Sequence, residues 1–217
     1  MSRNCHQVHH LFSSLPRIGF PFNKNAIPDN GIYVLFEQGE RAHEVDRIVR
    51  IGTHTGNNQL RSRLKQHFQL ENKDRSIFRK NIGRALLNQV KDPFIAQWEI
   101  DLTTAESKRK YAPFIDQSKL REVESRITAY IQQNFRFITF KVDKKEDRLL
   151  WESKIISTVS LCNECGPSKA WFGLNSPKEK INQSGLWLVN ELYKEPLSPA
   201  DYDALKACVA SGYKPVA

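Results

Sequence analysis

The chain has 217 residues, 40% of them hydrophobic and 26% charged, with twelve Phe and four Trp, which supplies one domain with a sizeable core and excludes a largely disordered chain or a staple-dependent miniprotein. The formal net charge is +9, and it is unevenly spread: Leu60 to Val90 holds eight Lys or Arg (Arg61, Arg63, Lys65, Lys73, Arg75, Arg79, Lys80, Arg84) against Glu71 and Asp74, two-thirds of the whole excess. A basic block of this kind is the footprint of a phosphate-backbone binder, and it is also what a solvated helix face looks like.

Residues 1–28, with Pro16, Pro21 and Pro28 and little periodicity, read as an irregular N-terminal arm. The Pro28-Asp29-Asn30-Gly31 cluster marks a turn into the run Ile32 to Phe36, a buried strand by its β-branched and aromatic content, and Arg47 to Ile51 makes a second. Gln38-Gly39-Glu40 suggests the hairpin connection. A helix is predicted from about Gln59 to Gln69, with Leu60, Leu64 and Phe68 as its apolar stripe and with Arg63 and His67, four apart, able to face one ligand. Another starts at Ser76 and runs to Val90.

Residues 91–117 lack clear periodicity, with Phe94 to Ile100 a candidate short strand, and 118–133 reads as helix. The alternation of FRFITFKV at 135–142 predicts a strand, and a helix follows from Asp143 or Lys144 to Ser160. Leu186 to Leu192 is a candidate final strand, and Ser198-Pro199 places Ser at the N-cap and Pro at the first turn of a C-terminal helix. No internal repeat is visible. The fold class expected is α/β (α+β): a small central sheet of three or more strands flanked by helices. The divisions expected are an arm at 1–28, a domain at 29–193 with a helical insertion at 91–134, and a helical tail at 194–217.

One residue breaks its own pattern. In the helix ending at Ser160, Leu149, Ile156 and Val159 share a face beside Ile155, and Glu152 falls in the middle of it. A carboxylate placed among apolar groups is salt-bridged, protonated or bound to a metal, because leaving it bare costs several kcal/mol.

Gly31-Ile32-Tyr33, then Arg50-Ile51-Gly52, then LRSRLKQHF at 60–68, then WESK at 151–154 come in an order and secondary-structure context that resembles the GIY-YIG nuclease superfamily, over roughly residues 29–190. The resemblance implies a metal-dependent DNA endonuclease. It implies that Tyr33 helps to activate the attacking water, that Arg63 neutralises the scissile phosphate with His67 as its companion, and that Glu152 is the one protein ligand of Mg²⁺ or Mn²⁺. A late asparagine is usual in that family, and Asn175 is the nearest candidate, with Asn182 and Asn190 as alternatives. Two departures stand out. Arg50 occupies the place of the second tripeptide's usual Tyr, so His54, just beyond Gly52, is a candidate base or proton shuttle. The segment 91–134 is also longer than a minimal domain needs, and is expected to read DNA or form a homodimer surface.

Arg50, Arg61, Lys65, Arg79 and Lys80 are the expected nucleic-acid contacts. Trp151, Trp171 and Trp187 read as core or site walls, with Trp171, if exposed, able to stack on a base. Cys162 and Cys165 have zinc-ligand spacing but need two more ligands, which Cys208 or the Cys5, His6, His9, His10 group would have to supply. Reduced free thiols are the default. No leader-like segment and no apolar run near the roughly 18 residues of a membrane span is present, so the expected setting is cytoplasmic, without a membrane partner or a small-molecule cofactor. A catalytically degenerate nucleic-acid-binding module on the same fold is the alternative, and a scaffold binding RNA or acidic protein is a weaker third reading.

Overall fold

The computed structural model describes residues 2–212. Four antiparallel strands, β1 (Ile18–Gly19), β2 (Gly31–Ala42), β3 (Val45–Gly52) and β4 (Phe135–Lys141), form one sheet in the order β1-β4-β2-β3. Strand side chains alternate between the two faces, and here each face carries its own core. Ile32, Val34 and Phe36 of β2 join Ile138 and Phe140 of β4 on one side, while Tyr33 and Leu35 join Phe135 and Phe137 on the other. The predicted α+β class with helices on a central sheet is therefore the observed one.

The first face is covered by α1 (Ser2–Ser13), α7 (Lys145–Ser160) and α9 (Pro199–Gly212), the second by α2 (Leu60–Phe68), α3 (Ile77–Gln89) and α6 (Gln117–Asn134). The expected irregular arm is thus corrected. Cys5, Val8, His9 and Phe12 are all buried, at the i, i+3, i+4, i+7 spacing of an amphipathic helix, and Phe12 stacks on Phe140 at 5.7 Å. Histidines interleaved with the apolar residues hid that stripe. At the other end the predicted cap is present, with Ser198 Oγ accepting from the Asp201 amide at 3.1 Å.

The hairpin also differs from expectation. Its turn is His43-Glu44, where both residues have φ of 50° and 67°, as a two-residue type I′ connection requires. Gly39, with φ 86°, lies within β2 where the register slips between Phe36 and Arg41. A second irregularity matters more: Leu35 pairs with Arg50 but Phe36 pairs with Ile48. The extra residue, Val49, is a bulge that puts Val49 and Arg50 on the same side of the sheet as Tyr33.

Between α3 and α6 lie α4 (Ile95–Glu99) and α5 (Ala105–Tyr111). The candidate strand at Phe94 to Ile100 is therefore one turn of helix, because Asp92 accepts the Phe94 amide at 2.9 Å and Trp98 is anchored through Nε1 to the Lys80 carbonyl at 3.0 Å. Trp98 packs closely on Gly83 of α3, where a Cβ would stand 2.3 Å from its ring. The short helix α8 (Glu179–Ser184) follows, and Leu186 to Leu192 is not a strand. That segment instead covers the outer edge of β3, with the Trp187 amide donating to the Val49 carbonyl at 2.8 Å, which shields an edge otherwise open to foreign strands.

Candidate active site

The two tripeptides lie side by side because β2 and β3 are antiparallel neighbours, with Tyr33 opposite Gly52 and Leu35 opposite Arg50. Gly52 is required by this pairing, since a Cβ there would come within 2.2 Å of the Tyr33 hydroxyl oxygen. That hydroxyl is 2.8 Å from His67 Nε2 on α2, and His67 Nδ1 is 2.7 Å from Ser76 Oγ. Ser76 is also the N-cap of α3, accepting the Arg79 amide at 3.2 Å. Arg50 Nε donates to the Tyr33 hydroxyl at 3.4 Å, and its Nη1 donates to the Trp187 carbonyl. Tyr33, His67 and Ser76 have no exposed surface. Burial holds the His67 imidazole well below its usual pKa, reinforced by Arg63, Arg50 and Arg79. A neutral imidazole donates at one nitrogen and accepts at the other, so Tyr33, His67 and Ser76 form a chain able to pass a proton along its length.

Glu152 stands on α7, its Oε1 accepting the Thr53 amide at 3.1 Å just past the second tripeptide. Among the described residues it has no ion-pair partner within 4 Å and no further hydrogen bond. Burial pushes its carboxyl up, opposed by Arg50, the Thr53 amide and Arg63. Arg50 and Arg63 act on both His67 and Glu152, so these side chains form one electrostatic cluster. The helical wheel needs one correction: Ile155, Ile156 and Val159 are buried but Leu149 is 39% exposed. Glu152 therefore sits where α7 passes from solvent into the core, half-buried rather than enclosed by apolar groups.

An open pocket of about 280 Å³ lies beside the cluster, lined by Thr53, His54, Thr55, Gln59, Ser62, Arg63 and Gln66. Arg63 is steadied there by Gln66 Oε1 at 3.1 Å and the Arg75 carbonyl at 3.0 Å. His54 gives both ring nitrogens to backbone, with Nε2 accepting from the Gly31 amide at 3.3 Å and Nδ1 against the Gly56 carbonyl at 2.7 Å. Burial holds its pKa below the usual value, opposed by the Gly56 bond and helped by Arg148. A second groove of about 290 Å³, lined by Phe22, Lys24, Arg61, Ser62, Lys65 and Gln69, shares Ser62 with the first. Lys65 is exposed, and Arg61 pairs with Asp29 at 3.0 Å.

The basic block is less available than its composition suggests. Arg79 is fully buried, forked onto Glu124 at 2.7 and 2.9 Å, so its expected phosphate contact is corrected to a structural ion pair. Lys73 and Arg84 are likewise buried beside Asp74 and Glu99. Arg50 is turned inward as described, and Lys80 Nζ donates to the Glu99 carbonyl at 3.0 Å. Trp171 is 3% exposed, which removes the base-stacking role. It stands beside Trp187, and both indole N–H groups donate to Glu37 Oε2. Asn175 closes its own turn through the Phe172 carbonyl at 3.0 Å and makes no bond to the cluster. Thr53 and Ser76 were not foreseen as site residues. Ser76 was legible only as a helix start, and Thr53 contributes a backbone amide, which no side-chain pattern reveals.

No curated protein and no solved structure matches the chain. A GIY-YIG domain family matches residues 21–214, a span that includes β2, β3, α2 and α7 with the residues just assembled. With both tripeptides paired on neighbouring strands and the helix arginine and helix glutamate gathered beside them, the chain belongs to the GIY-YIG family of nucleases.

Proposed function

We propose that this chain is a metal-dependent endonuclease hydrolysing phosphodiester bonds in DNA. The observation that carries this reading is Glu152, a half-buried carboxylate with one oxygen held by the Thr53 amide, no ion-pair partner among the described residues, and Arg50 and Arg63 as the cations that favour its charged form. A lone hard oxygen donor fits Mg²⁺ or Mn²⁺, which keep several waters and take phosphate oxygens as further ligands. Bound at Glu152, such an ion would supply a Lewis acid for the charge that develops on the phosphate.

The chain's own residues do the rest. Arg63, steadied at the pocket wall, binds a phosphate oxygen. The Tyr33 hydroxyl is held by the neutral His67 at 2.8 Å and by Arg50 Nε, which donates to the same oxygen, so the phenol is fixed in orientation beside the pocket. His54, with no free ring nitrogen, holds the start of β2 rather than moving protons. Lys65 and Arg61, along the adjoining groove, guide the phosphate backbone. One site cuts one strand, so a double-strand break needs two chains or two visits.

One observation favours the second reading, a binding module without catalysis: Tyr33 has no exposed surface, and an arginine stands beside its hydroxyl. Incubation with supercoiled plasmid in Mg²⁺ or Mn²⁺, against an EDTA control, separates the two. Nicking that is lost in EDTA and falls by about 10²–10³ in both Glu152→Gln and Arg63→Ala supports the nuclease. Salt-sensitive binding with no cleavage of plasmid, branched DNA or RNA supports the module.

A further inference from the structure

At the far end of the hairpin from Gly52, four potential ligand atoms converge: the sulfurs of Cys5, Cys162 and Cys165 and a ring nitrogen of His43 all lie within 4.8 Å of one another. We propose that they bind one structural Zn²⁺, separate from the oxygen site at Glu152.

Spacing supports this. Ligands placed tetrahedrally at zinc distances are separated by about 3.5–3.8 Å. Cys5 Sγ is 3.5 Å from Cys165 Sγ, and Cys162 Sγ is 3.5 Å from His43 Nε2. Two of the ligands come from one Cys-x-x-Cys turn directly after α7. The other two arrive from α1 and from the β2–β3 turn, far away in sequence. Three soft sulfurs and one imidazole suit zinc and do not suit Mg²⁺.

The neighbouring histidines are engaged elsewhere and explain why His43 is the fourth ligand. His9 spans from the Cys5 carbonyl at 2.9 Å to the Ile48 amide at 3.2 Å, which holds α1 against β3 and orients Cys5. His10 Nε2 bonds the His43 carbonyl at 2.9 Å and so fixes the turn that presents the ring. His6 stacks on His10 at 4.2 Å. Cys208 lies outside the cluster, among the side chains packed on the apolar core. A type I′ turn ordinarily takes Asn, Asp or Gly; here its first position holds an imidazole over the sulfurs. The ion would tie α1, the hairpin tip and the end of α7, the helix that carries Glu152, into one unit.

The test is metal content of the full chain, purified under reducing conditions from zinc-replete medium and passed through EDTA. The proposal expects about one zinc per chain, released by an organomercurial and lowered at least tenfold in Cys162→Ser, Cys165→Ser and His43→Ala, but unchanged in Cys208→Ser. Because ligand variants can misfold, the wild-type chain is also produced in cobalt-supplemented medium, where the visible bands of a tetrahedral thiolate site should appear. Glu152→Gln should keep its zinc, which separates this site from the nuclease reading. Zinc below about a tenth per chain with no cobalt bands overturns the proposal, as does a Cys5–Cys165 disulfide in the peptide map of the reduced-handled protein.

Discussion

At His67 a single imidazole is buried between a phenol and a serine, and its low pKa has a consequence for stability. The folded state keeps the ring neutral, while the unfolded chain protonates it near its ordinary value. Above about pH 6.5 both states are neutral and there is no penalty; below it the unfolded state gains the proton and stability falls, by up to about 1.4 kcal/mol per pH unit. Urea midpoints measured from pH 7.5 down to 5 should drop for the wild type by more than for His67→Gln, and parallel curves would refute the buried neutral ring. Arg79 offers a second test at this scale. Arg79→Met leaves Glu124 buried without its cation and should cost about 3–5 kcal/mol, most of it recovered in Arg79→Met/Glu124→Leu. A residue that served DNA would show the reverse, with stability unchanged and binding weakened.

At the scale of elements, α1 closes one face of the sheet and belongs to the core as fully as any strand. Phe12, without exposed surface and stacked on Phe140, predicts a loss of about 3–5 kcal/mol in Phe12→Ala by denaturant melting. Removing the whole helix should leave an aggregating chain, since Ile32, Val34 and Phe140 would lose their cover; a soluble, cooperatively folding truncation would contradict this account. The bulge at Val49 is the other element-scale device. It turns Arg50 onto the face of Tyr33, and so explains how an arginine in the second tripeptide points into the polar cluster rather than into the opposite core.

For the molecule as a whole, the net charge of +9 is only partly a surface property. Lys73, Arg79 and Arg84 are buried against acidic partners, and along the two joined grooves stand Lys65, Arg63 and Arg61, the last paired with Asp29. Binding to a DNA duplex in EDTA, followed by fluorescence anisotropy over a salt series, should give a log–log slope that shrinks by about 1 in Lys65→Ala. Equal slopes would place the phosphate path elsewhere.

Local patterns are written in neighbouring residues, and those were legible from the sequence: the strand alternation at 135–142, the apolar stripe of α2, the Ser198 cap, and the run of tripeptides and helices that marks the family. Arg63 with His67, and Glu152, could be singled out by spacing within their own helices, whereas Tyr33 was marked only by the resemblance to the family. What only the tertiary structure decided are relations between distant residues. The pairing of Arg79 with Glu124, the loss of both His54 nitrogens to backbone, the indole clamp on Glu37 and the meeting of Cys5 with His43 and the Cys162–Cys165 turn all depend on which elements come into contact. Whether a charged or sulfur-bearing side chain faces water, a partner or a ligand is set by the desolvation and distance that packing imposes, and residue type alone carries neither.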